Sequence, residues 1–243
     1  MTKQSPNKRQ NQVLSTVIGK GPDSFFEYRI NYEPTVDKNI PRQLRDQIED
    51  IFPLIQSDPV QAIDRLTTLK KRYPKIPLIS NHLIAAHGML GNKAISRDLV
   101  IENYQENPDY IFAKINYAQM CLKANQPEKI PEIFEEKYDL KLLYPKRDEF
   151  HVTEFAGFTG VMCVYFSMIG EKDFAKRYYD ALLQVAPDSD IATYTRHFIK
   201  PSLVEKLRLW LQARLRENEK KLKQAKKLGD KKPKKENDTH FSA

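Results

Sequence analysis

The chain has 243 residues, with 40 Lys+Arg against 32 Asp+Glu, 40% hydrophobic and 30% charged, the balance of a soluble chain that folds as one domain with tails. Eight glycines are too few for a turn-rich β-sandwich or a glycine-looped nucleotide site, and two cysteines, Cys121 and Cys163, exclude a disulfide-stapled secreted domain or a four-cysteine zinc site. No run of roughly 18 apolar residues offers a transmembrane helix, and the polar stretch Met1–Lys20 contains no secretory signal, so a cytoplasmic protein with no membrane partner is expected.

Residues 1–40 read as a disordered or extended arm. Up to residue 23 the arm is polar, which predicts disorder. Phe26, Tyr28, Ile30 and Tyr32 then alternate with Phe25, Glu27, Arg29 and Asn31, a strand period with no second strand in view. That segment is expected to lie extended against the body. From Pro41 the apolar period becomes helical. Leu44, Ile48, Ile51 and Ile55 form one stripe, which Pro53 should kink or end. Val60, Ile63, Leu66 and Leu69 form a second, with Asp58 as N-cap and Pro59 at the first helical position. The helical body is expected over residues 41–217, with no sheet, and a flexible Lys-rich tail over 218–243.

The body repeats itself. Met89–Pro108 aligns with Met168–Pro187 at an offset of 79, with Met, Gly, Lys, Gln and Pro matching. Shorter correspondences are 34 apart: Ala62 with Ser96, Pro74 with Pro108, Leu83 with Tyr117, His87 with Cys121. The offset is two such units plus an insertion in the irregular stretch 138–153. Small residues stand at Ala62, Ser96 and Ala175, with Ile130 in the third unit. Large apolar residues follow four positions on, at Leu66, Val100, Phe134 and Tyr179, and each unit closes on Pro74, Pro108, Pro145 or Pro187.

This pattern resembles the tetratricopeptide repeat family over about residues 43–187, in units beginning near Gln43, Pro77, Ile111 and Ala156. The sequence departs from the family where an aromatic is usual, with Asp46, Ser80, Lys114 and Thr159 in those places. The resemblance implies an all-α fold, a right-handed α-solenoid of about four helix pairs. Residues 188–199 add a half-repeat, and a helix from Pro201 caps the stack through Val204, Leu207, Leu211 and Leu215. It also implies a concave groove lined from the first helix of each pair. That places Leu78, Asn81, His82 and Ala85 in the groove from one unit, and Phe112, Ile115, Asn116 and Gln119, with Lys123 just beyond, from the next. Gly157, Gly160, Val161 and Val164 follow from the fourth unit, in which Gly157 and Gly160 are also expected to let two helix backbones approach. The Lys and Arg residues with which chaperone-binding members clamp a terminal carboxylate are missing from these positions.

Catalytic and metal readings find little support. His82 and His87 are five apart and diverge by roughly 140° around a helix, so no metal is expected there. His151 and Glu154 read as an exposed helix-start pair, Asp188 and Asp190 as capping residues, and Cys163 as a small buried residue. No cofactor and no enzymatic activity are expected. Residues 200–243 carry 14 Lys+Arg and 6 Asp+Glu, so the whole net charge of +8 belongs to the C-terminal segment and the rest is neutral. Lys220, Lys221, Lys223, Lys226, Lys227, Lys231, Lys232, Lys234 and Lys235 could follow phosphates, serve at Lys231–Lys235 as a nuclear import patch, or only solubilise the chain. The expectation is a non-catalytic adaptor or chaperone-like scaffold that holds a peptide segment of a protein partner. The alternative is a nucleic-acid- or ribosome-associated factor that uses the tail.

Overall fold

Proline and cap chemistry set where the first helices begin and end. In the computed structural model, α1 (Arg42–Ile51) buries Leu44, Ile48 and Ile51, and the chain re-forms a single helical turn, α2 (Leu54–Ser57), immediately after Pro53. The Asp58 carboxylate accepts from the Gln61 backbone N–H at 3.1 Å and starts α3 (Pro59–Arg72) with Pro59 at its first position. Both outcomes agree with the sequence. The structure describes residues 12–16 and 26 (backbone only), 27–33 and 40–199, together with Leu211 and Arg214. The chain divides into one unit of Met1–Ile199 and another of Lys200–Ala243, in which only Leu211 and Arg214 are described, both helical. The nine tail lysines and most of the expected capping helix lie outside the described residues.

The fold is mostly helical. α4 (Pro77–Met89) packs between α3 and α5 (Lys93–Glu106), and α5 in turn meets α6 (Ile111–Lys123). Beyond the irregular segment, α9 (Val152–Met168) packs on α6 and on α10 (Lys172–Val185), and α11 (Asp190–Ile199) lies against both α9 and α10. The small residues expected at crossings are there. Ala62 and Ala175 are buried, and the Ser96 hydroxyl reaches across from α5 to donate to the Ile84 carbonyl at 3.3 Å. One register detail is corrected. Tyr178, not Tyr179, is the fully buried ring of α10, because Ala175, Tyr178, Leu182 and Val185 form its single inward stripe.

The helix expected after α6 is nearly absent. A 3-10 turn at Pro127–Lys129 leads into α7 (Ile130–Ile133), only one turn long, and Glu135 and Glu136 then adopt left-handed φ angles of 54° and 56°. Lys114 accounts for the early stop. It is 4% exposed on α6, and its ammonium donates to the Ile133 carbonyl at 2.9 Å and to the Glu135 carboxylate at 3.2 Å. The lysine thus takes over a terminal carbonyl that a further helical turn would have bonded, and a cation suits a helix C-terminus. Bonds from Lys137 and Lys114 hold the Glu135 carboxyl below its usual pKa. The short α8 (Leu140–Leu143) follows, started by Asp139.

The expectation of a sheet-free body fails at one place. β3 (Glu149–His151) pairs in parallel with β2 (Phe26–Asn31), and β2 pairs antiparallel with β1 (Gln12–Thr16), giving a three-stranded sheet in the order β1-β2-β3. β1 also falls within the stretch read as disordered. The sheet forms because β2 can bury Tyr28 and Ile30 on one face while Glu27 and Arg29 stay in water. Tyr28 meets Phe150 of β3 edge-on, with ring centroids 5.2 Å apart, and Tyr32 donates to the carbonyl of Val185 at the end of α10 at 3.1 Å. Among the described residues there are two large core clusters. One runs from Ile40 through Ala86; the other joins Tyr28 and Ile30 to α6 and to most of the buried apolar residues from Ile130 through Val185, while Ala156, Leu182 and Ala192 form a small third.

Candidate functional site

Spacing alone puts Phe112, Asn116, Gln119 and Lys123 on one face of α6, and Asn81, His82 and Ala85 on one face of α4. The structure brings the two faces together through a direct bond: Asn116 Nδ2 donates to Asn81 Oδ1 at 2.7 Å. That bond leaves the Asn116 Oδ1 acceptor and the Asn81 amide N–H groups for other partners. Ala85 and Lys123 are exposed; Asn81, His82, Phe112, Asn116 and Gln119 are half-buried. Phe112 packs edge-on against Tyr110 at 5.6 Å. His82 faces Phe52, with ring centroids 5.5 Å apart, and Phe52 itself is 60% exposed. The sequence did not single out Phe52, which follows α1 where Pro53 interrupts the helix.

At its other end the α6 face opens into a cavity of about 220 Å³ between α6, α9 and α11. Gln119 and Lys123 line it from α6, Val161 and Val164 from α9, and Ile191 and Tyr194 from α11. The four residues expected to line the groove from the fourth unit are all buried; Gly160, Val161 and Val164 line this cavity and Gly157 does not. A Cβ on Gly157 would stand 3.0 Å from Ile115 Cδ1, and one on Gly160 only 2.4 Å from Ile191 Cγ2. These glycines let α6 and α11 approach α9. The α11 contribution could have been found by carrying the groove positions into residues 188–199. Ser189 starts that helix, its hydroxyl accepting from the Ala192 N–H at 3.1 Å, while Asp190 stays exposed in the first turn.

The electrostatics of the face are dominated by burial. Desolvation lowers the His82 pKa from 6.5 to about 4, so its imidazole is neutral near pH 7. Between those two values the unfolded chain binds a proton that the folded protein does not. Stability should therefore fall as pH drops from about 6.5 towards 4, and burial of His151 acts in the same direction. His82→Gln should flatten this slope in a series of melts. An unaltered slope would place the imidazole in water.

The remaining candidates serve the framework. Glu154 and His151 form a capping box at the start of α9, and Arg147 grips both Glu154 oxygens at 3.1 and 2.7 Å. The pair was expected to be exposed; Glu154 is in fact buried. Cys121 and Cys163 are buried free thiols, and burial pushes Cys163 up to about 12. His87 is half-buried beside Asn92, less enclosed than its counterpart Cys121. Among the described residues no group of three or more His, Cys, Asp or Glu could hold a metal ion, and no helix is long and apolar enough to cross a membrane. No family model, curated protein or solved structure matches the chain.

Proposed function

We propose that the chain is a cytoplasmic, non-catalytic adaptor: a tetratricopeptide-like α-solenoid of about four helix pairs that holds an extended segment of a protein partner against the α4–α6–α9 face. One observation carries the reading. The Asn81–Asn116 bond ties neighbouring helices of that face together and leaves a carbonyl acceptor and amide donors unused at the same point. A peptide backbone in extended form presents one donor and one acceptor per residue, so this pair can engage it without regard to side-chain sequence. Phe112, Ala85 and the Phe52–His82 pair supply apolar surface beside it.

The test uses peptides selected from a random displayed library on the full chain, then titrated calorimetrically. Asn116→Ala removes one polar contact and should weaken binding by roughly 0.5–1.5 kcal/mol, up to about tenfold in Kd. The fold should persist, because Asn116 is only half-buried. Binding that is unchanged in Asn116→Ala, yet lost when residues 218–243 are deleted, would overturn the adaptor reading.

A further inference from the structure

The cavity between α6, α9 and α11 has a volume that limits its occupant. At about 220 Å³ it lies below the roughly 300–1,000 Å³ of small-molecule and cofactor sites. It suits a single large side chain. Its wall is apolar, built from Leu122, Val164 and Ile191, but two exposed charges stand on it: Lys123 in the last turn of α6 and Asp190 in the first turn of α11. Each suits its own helix end. Neither forms an ion pair with any other group among the described residues. Other lysines of this unit do pair with carboxylates, Lys70 with Glu102 and Glu106 being one case.

We infer that this cavity is the anchor subsite of the binding face, taking one large apolar side chain of an extended peptide that carries an acidic residue towards Lys123 and a basic residue towards Asp190. The inference rests on the adaptor reading above and names the chemistry of its partner. Side chains at i and i±2 of an extended chain project to the same side. The two charges therefore belong two positions before and two after the apolar anchor, giving an acid-x-apolar-x-base order or its reverse. Charge complementarity of this kind fixes the register of a peptide more than it adds affinity.

The experiment selects a random peptide library on the full chain and reads the enriched pattern. A large apolar residue flanked at ±2 by one acid and one base is expected. The best peptide is then titrated against the parent, Lys123→Glu, Val164→Phe and Asn116→Ala. Lys123→Glu changes an exposed residue and should weaken binding about fivefold. Exchanging the peptide's acid for lysine should restore it, which a purely structural role of Lys123 would not allow. Val164→Phe should reduce the preference for the largest anchors. If Asn116→Ala weakens binding while Lys123→Glu does not, or the exchanged peptide gives no rescue, the anchor subsite is wrong and the adaptor reading stands. If no variant weakens binding and no pattern is enriched, both fall.

Discussion

Ile30→Ala should lower the melting temperature of the whole unit, although residue 30 lies in a segment that composition would assign to a dispensable arm. Ile30 is fully buried, packed with Tyr28 in the core that contains Phe150 and Phe155. Truncating a fully buried isoleucine costs roughly 2–5 kcal/mol. For a domain of this size each kcal/mol lowers the midpoint by about 2–4 °C, so a drop on the order of 5–20 °C is expected. Glu27→Ala, on the exposed face of the same strand, should stay within about 0.5 kcal/mol of the parent. The pair is read by thermal melts of the full chain. Equal midpoints for Ile30→Ala and Glu27→Ala would mean that β2 does not contribute to the core. Loss of stability in Glu27→Ala alone would mean that the strand's facing is reversed.

What could be read from the chain follows from the range over which each signal acts. The Tyr28–Ile30 alternation was visible because it is local. Its partner was not: β3 is three residues long, too short to show a period, and the Asn31–Glu149 bond that accompanies the pairing spans 118 positions. The short α7 was hidden for a different reason. Ile130 and Phe134 do occupy buried positions at helical spacing, as the pattern required. The stop comes from Lys114, on another helix, whose burial contradicts its own residue type and is stabilised by the carbonyl it caps and by the Glu135 carboxylate. The face of α4 and α6 was legible only in part: Asn81 and Asn116, both expected on it, lie within bonding distance, whereas Ile115, expected beside them, is buried in the core. At α9 the sequence allowed Gly157 and Gly160 both as groove lining and as points of close helix approach, and the positions of Ile115 and Ile191 show the close approach.

That distinction gives a graded series. Alanine is favoured over glycine in a helix interior by about 1 kcal/mol, so each Gly→Ala change begins with the same gain. At Gly88, in α4, a Cβ would meet nothing within 4 Å, and Gly88→Ala should stabilise the protein by nearly the full amount. At Gly157 the nearest atom is Ile115 Cδ1 at 3.0 Å, the free end of a side chain that can turn aside, so gain and cost should nearly cancel. At Gly160 the obstacle is Ile191 Cγ2 at 2.4 Å, a branch fixed to its Cβ on a helix already in contact. Relief requires α11 to move, and overpacking of this kind costs roughly 1–3 kcal/mol. Gly160→Ala should therefore be net destabilising by about 0–2 kcal/mol, and Gly160→Val, which adds branching to the same clash, more so. Denaturant midpoints of the three alanine variants should rank Gly88→Ala above Gly157→Ala above Gly160→Ala. A stabilising Gly160→Ala would show that α11 does not rest on α9 at this residue. The cavity between α6, α9 and α11 would then lose the wall that Ile191 provides.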